Sequence, residues 1–112
     1  MREEWDERFR MENEELLNKL KTGNEMERLY ALAKLEEKCY GNGFPGFLID
    51  LFIEHAQNDE SPIVRAFALR ALYHQSSETW PMGPEDRKKV LNVIKDRIKW
   101  QGKTGNILLI LI

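Results

Sequence analysis

"DESPIVRAFALRALY", residues 59–73, decides the fold. An aspartate and a Ser-Pro step precede a segment that is apolar almost all the way round, with Arg65 near its start. Ser61 reads as a helix N-cap and Pro62 as the first helical residue, where the missing N–H costs little. A helix on the surface of a small domain keeps one polar face. This one has almost none, so it needs apolar neighbours on more than one side.

The rest of the chain divides around it. "KTGN" (21–24), "YGNGFPG" (40–46), "NDESP" (58–62), "SSETWPMGP" (76–84) and "QGKTGN" (101–106) hold nearly all the Gly and Pro. The segments between them have helical lengths, and no strand alternation runs for any distance. Five helices are expected, near 3–20, 25–39, 45–57, 61–75 and 84–100. The first carries one apolar stripe of Trp5, Phe9, Leu16, Leu17 and Leu20. The third places Pro45 in its first turn. The fifth opens on Pro84, Glu85 and Asp86 and ends in Lys95, Arg97 and Lys99, which suits the helix dipole at both ends. The fold class is all-α.

At 112 residues the chain is one domain, 1–112, with 32% charged and 42% apolar residues, a globular composition. The longest apolar run, "ILLILI", has six residues, against the roughly 20 of a spanning helix. The N-terminal "MREEWDERFR" lacks the apolar core of a signal peptide. With a single cysteine, Cys39, these features point to a cytoplasmic protein without a disulfide. Charge is uneven: residues 1–60 hold 8 Lys/Arg against 15 Asp/Glu, net −7, and residues 61–112 hold 9 against 4, net +5. Such halves coat solvated helices or steer a partner or a second copy.

The second and fourth helices share a pattern at an offset of 37. "MERLYALAKL" (26–35) lies over "IVRAFALRAL" (63–72), matching Arg28 with Arg65, Tyr30 with Phe67, Ala31 with Ala68, Leu32 with Leu69 and Leu35 with Leu72. That period falls in the range of two-helix solenoid repeats, whose inner helices pack on two sides. An ordinary five-helix bundle is the competing architecture. Residues 44–75 resemble a HEAT repeat in their early proline, turn aspartate Asp59, Val64-Arg65 five and six residues later, and then Ala68 and Leu72. The resemblance implies a right-handed α-α superhelix of antiparallel helix pairs, about two and a half repeats. It also implies that Asp59, Arg65 and Arg28 are structural, forming a polar ladder between repeats, with Arg65 meeting Asp59. Residues 3–39 depart from the pattern, with Glu27 in the valine position and no turn aspartate in register.

No residue set for catalysis, a cofactor or a metal emerges, so the chain reads as a non-enzyme. His55 and His74 lie near the C-terminal ends of consecutive antiparallel helices, roughly 20 Å apart at about 1.5 Å per residue, too far to share a metal. Each is expected to cap a helix end. Cys39, at a helix C-terminus where the dipole raises a thiol pKa, reads as a small core residue. Glu14/Glu15 and Glu36/Glu37 read as solvated faces, and the glycines of 40–46 as a helix-ending turn.

HEAT-like proteins act as protein-protein interaction modules, adaptors and scaffolds, with the second helices of successive repeats lining the binding surface. Here those carry Tyr30, Ala33 and Glu37 alongside Ile63, Phe67, Arg70 and His74. Tyr30, Glu37, Phe67, Arg70 and His74 form the expected partner-binding strip, the partner being a protein, with burial of Tyr30 and Phe67 in the core the alternative. A homodimer through the C-terminal helix and the apolar tail "NILLILI" (106–112) is a further option, as are internal packing of that tail and truncation of a longer protein. Trp80 and Met82 sit in a loop, and Trp80 is expected to fold onto the last helix. The alternative function is nucleic-acid association through Arg87, Lys88, Lys95 and Lys99 on a fifth helix rich in basic residues. Asp86 and Asp96 interrupt that patch, and the pI is about 5.7.

Overall fold

The computed structural model describes residues 2–40, 43–77 and 83–102, with side chains placed for 4–40, 43–75 and 83–96. Among them are six α-helices and no strand: α1 (Arg2–Glu12), α2 (Glu14–Thr22), α3 (Glu25–Lys38), α4 (Gly46–Asn58), α5 (Pro62–Ser77) and α6 (Pro84–Gly102). None is long and apolar enough to cross a membrane. Residues 78–82, with Trp80 and Met82, and the tail 106–112 lie outside the described residues, and so do their expected placements.

The expected first helix, 3–20, is two helices. Asn13 breaks it, with φ −122° and ψ 23°. Its side-chain amide donates to the Phe9 carbonyl at 2.9 Å and shares that acceptor with its own backbone N–H at 3.1 Å. The break lets α1 swing onto α4. Phe9 meets Phe47 edge-on at 6.0 Å between centroids, and the Arg10 guanidinium lies 4.3 Å above the same ring.

α2 and α3 form one hairpin and α4 and α5 another; α3 packs on α5, and α6 packs on both α4 and α5. The α2–α3 turn has two residues. Gly23 is required there, since a Cβ would stand 2.4 Å from the Lys19 carbonyl oxygen and 2.7 Å from the Glu27 Cβ. Asn24 then caps α3 with a reciprocal box: its Oδ1 accepts from the Glu27 N–H at 2.9 Å, and Glu27 Oε1 accepts from the Asn24 N–H at 3.0 Å. Glu27, out of place as a repeat valine, is in place as the cap partner. Pro45 is the N-cap of α4 rather than a residue of its first turn. Ser61 caps α5 as expected, its Oγ accepting from the Val64 N–H at 3.3 Å.

The core runs through every helix from α2 to α6. Leu20, Leu32, Leu35, Leu48, Phe52, Val64, Leu69, Leu72 and Val90 are buried, and Cys39 with them. Cys39 is core as expected, but the main reason its thiol is pushed up to about 12 is burial, with the Glu36 charge adding to it.

Candidate partner-binding face

The face in question is carried by α3 and α5, and a polar cluster fixes how these two helices meet. At its centre is Asp59, the C-cap of α4. Its carboxylate accepts four hydrogen bonds. Arg28 of α3 donates from Nε to Oδ2 at 3.0 Å and from Nη2 to Oδ1 at 2.9 Å. The Ser61 N–H donates to Oδ1 at 2.9 Å, and His55 Nδ1 lies 2.8 Å from Oδ2. Burial alone would push this carboxyl up. The Arg28 fork, the Ser61 N–H and His55 outweigh burial and pull its pKa down to about 2. Arg28 is raised in turn by its hydrogen bonds to Asp59, against the opposing effect of burial.

One expectation changes here. Arg65 does not reach the Asp59 carboxylate. Its Nη1 donates to the Asp59 backbone carbonyl at 2.5 Å, within its own helix pair. The carboxylate's contact between pairs is with Arg28, which starts from the neighbouring hairpin and meets it side-on with its fork. Arg28 also donates from Nη1 to the Gly23 carbonyl at 2.9 Å. The two arginines, 37 apart, thus do one job alike: each satisfies a carbonyl of the turn preceding its own helix. His55 lies in the last turn of α4 as expected, and there it faces the C-cap residue Asp59 and is only 15% exposed. Ser61 completes the joint by donating from Oγ to Glu25 Oε2 at 2.6 Å, so the first turns of α3 and α5 are tied directly.

On the outer side of that joint the two first turns show apolar residues to solvent at equivalent positions. Met26 is 70% exposed and Ile63, 37 residues on, 59%. One turn further, Tyr30 is half exposed, and the ammonium groups of Lys19 and Lys34 stand 5.4 and 5.9 Å from its ring centroid. Its counterpart Phe67 is half-buried against the core. Arg70 is exposed and His74 half-buried. Glu37 is exposed and pairs with Lys34 of its own helix at 3.6 Å.

The residue that faces Arg70 and His74 across the helix pair is Glu36, not Glu37. Glu36 is half-buried rather than solvated; burial raises its carboxyl pKa, and the charges of His74 and Arg70 pull against that rise. Sequence reasoning grouped Glu36 with Glu37 as exposed. The signal was there: Glu36 follows Leu32 by four and Leu35 by one, which puts it on the edge of the buried stripe.

On α6, Lys88 and Lys95 are exposed, Arg87 is half-buried, and Lys99 lies where side chains are not described. Lys89 pairs with Asp50 of α4 at 3.3 Å, so part of the basic run holds α6 to its neighbour. Among the described residues no group of three or more His, Cys, Asp or Glu side chains is placed to hold a metal. No family model, no curated protein and no solved structure matches this chain. The described residues define an all-α protein of two helix hairpins, α2–α3 and α4–α5, with α1 and α6 beside them.

Proposed function

We propose that this chain is a small HEAT-like helical-repeat protein, a right-handed superhelix of about two and a half antiparallel helix pairs, acting as a protein-protein interaction module or adaptor and not as an enzyme. The observation that carries the reading is the matched exposure of Met26 and Ile63 on first turns tied by Ser61–Glu25. Large apolar side chains standing open together mark contact surfaces more often than solvated ones. Tyr30 and Arg70 on the same two helices add the residue types that dominate protein interfaces. The equivalent roles of Arg28 and Arg65, and the caps Asn24 and Ser61 at the same offset of 37, support the repeat.

The test is capture of proteins from the source cells by wild type, by Met26→Asp/Ile63→Asp and by Arg70→Glu. A partner retained by wild type and lost by both variants is the expected result. A captured set unchanged by either variant removes this face from consideration. Parallel titrations with duplex and single-stranded DNA at low and moderate salt address the alternative. Affinity that falls steeply with salt and with Lys88→Glu/Lys95→Glu would move the assignment to nucleic acid.

A further inference from the structure

A second surface lies on the other layer of the molecule. α1 and α2 on one side and α4 on the other enclose a groove of about 760 Å³, open to solvent along its length. Its floor is apolar: Leu17 of α2 and Phe47 and Leu51 of α4 are half-buried there against the core. Its walls differ in charge. Arg10 and Lys21 stand on the α1–α2 side, and Asp50 and Glu54 on the α4 side, Asp50 sharing its charge with Lys89 of α6 at 3.3 Å and Glu54 accepting from Asn58 at 2.6 Å. Arg10 is held over Phe47 and closes one end.

We propose that this groove docks an amphipathic helix of a partner protein, with an acidic flank facing Arg10 and Lys21 and a basic flank facing Asp50 and Glu54. A helix fits where a strand does not. The walls are helices whose backbone groups are bonded internally, so an extended peptide finds no edge to pair with, whereas apolar anchors at helical spacing find a trough. From Phe47 to Glu54 the α4 wall runs about 11 Å, two helical turns, so the occupant presents anchors at i, i+3 or i+4, and i+7. Walls of opposite sign select a helix with both charges, one along each flank, over one of a single sign. The groove shares none of Met26, Tyr30, Ile63, Phe67 and Arg70 with the α3–α5 face, His55 alone bordering both the groove and the Asp59 cluster, so this inference stands or falls apart from the proposed function.

The experiment uses the full chain and three fluorescent peptides of about 14 residues, long enough for two turns and their flanks. All carry leucines at i, i+4 and i+7; one has acidic and basic flanks, one two acidic flanks, one two basic flanks. Anisotropy at low salt is expected to rank the two-sign peptide about tenfold tighter than either other. Lys21→Glu is expected to shift preference toward the all-basic peptide, and Glu54→Lys toward the all-acidic one. Both residues are exposed, and circular dichroism checks that each variant folds. Three results overturn the proposal: equal affinities for all three peptides, no binding at about 1 mM, or variants that leave the ranking unchanged. A dimer in sedimentation that Lys21→Glu or Glu54→Lys dissociates would instead give the groove to a second copy, and would overturn the proposal equally.

Discussion

α3 and α5 carry the same ten-residue pattern, yet they live in different surroundings. α5 packs against α3, α4 and α6; α3 packs against α2 and α5. The consequence is visible in what each buries. Ala68, Leu69, Ala71, Leu72 and Val64 of α5 are buried, against Ala31, Leu32 and Leu35 of α3. Where α5 has Ala71, α3 has Lys34, and where α5 has Val64, α3 has the cap residue Glu27. A helix is apolar over as much of its circumference as it has neighbours. The first hairpin has fewer, and it compensates with polar fixtures: the capping box at Asn24 and the Arg28 fork.

Unequal substitution costs at equivalent positions would sharpen the contrast, and equal ones would break it. The largest expected difference is between Asp59 and its counterpart Thr22. Asp59→Ala removes the acceptor of four hydrogen bonds and leaves Arg28 largely buried without its partner, so chemical denaturation is expected to register a loss of about 3–5 kcal/mol. Thr22 is exposed and bonds only back to the Asn18 carbonyl among the described contacts, so Thr22→Ala is expected to cost less than about 0.5 kcal/mol. Equal losses would mean that the Asp59 cluster does not join the hairpins.

Next comes acid. The Asp59 pKa is depressed to about 2 in the folded chain, so its contribution is fully present above the ordinary carboxylate value and is lost as pH falls through the folded value. Over the window from about pH 4 to pH 2, roughly 2 kcal/mol of stability should disappear, less whatever solvent screens. Asp59→Asn should flatten that part of the stability profile. An unchanged acid limb in the variant would show that other carboxylates control it.

The caps give a smaller contrast. Ser61→Ala is expected to cost about 1–2 kcal/mol, since Ser61 is buried and bonded to both Val64 and Glu25. Asn24→Ala, on an exposed cap, should cost about 1 kcal/mol or less. The smallest effects belong to Met26→Ser and Ile63→Ser, which should change thermal stability by less than about 0.5 kcal/mol each. A larger loss at either would show that the residue serves the fold rather than a contact surface.

Much of this was readable in the chain. The glycines and prolines mark the helix ends, Ser61 and Pro62 open α5, and the all-α class follows from the absence of alternation. The misreadings have a common source. At Asn13 the backbone leaves helical geometry while its side-chain amide and its own N–H both donate to the Phe9 carbonyl, a local detail that periodicity does not register. Glu36 and Glu37 are neighbours in sequence but lie 100° apart on a helix, so one is half-buried beside Arg70 and His74 while the other faces water. The HEAT resemblance pairs Arg65 with Asp59; Arg65 reaches only the Asp59 backbone carbonyl, and Arg28, thirty-one residues away, holds the carboxylate.

What the sequence determined by itself is therefore local: the helix ends marked by glycine and proline, the Ser61 cap, the apolar girth of α5 and the internal echo of 26–35 in 63–72. These depend on backbone stereochemistry and hydrophobic period, which act within a few residues. The tertiary structure alone decided which arginine meets Asp59, that His55 joins the same cluster, that α1 folds back over Phe47, and that a groove with oppositely charged walls opens between α2 and α4. Each of those depends on side chains from separate helices meeting in space, and a carboxylate in a turn accepts from whichever donor the packing brings within about 3 Å.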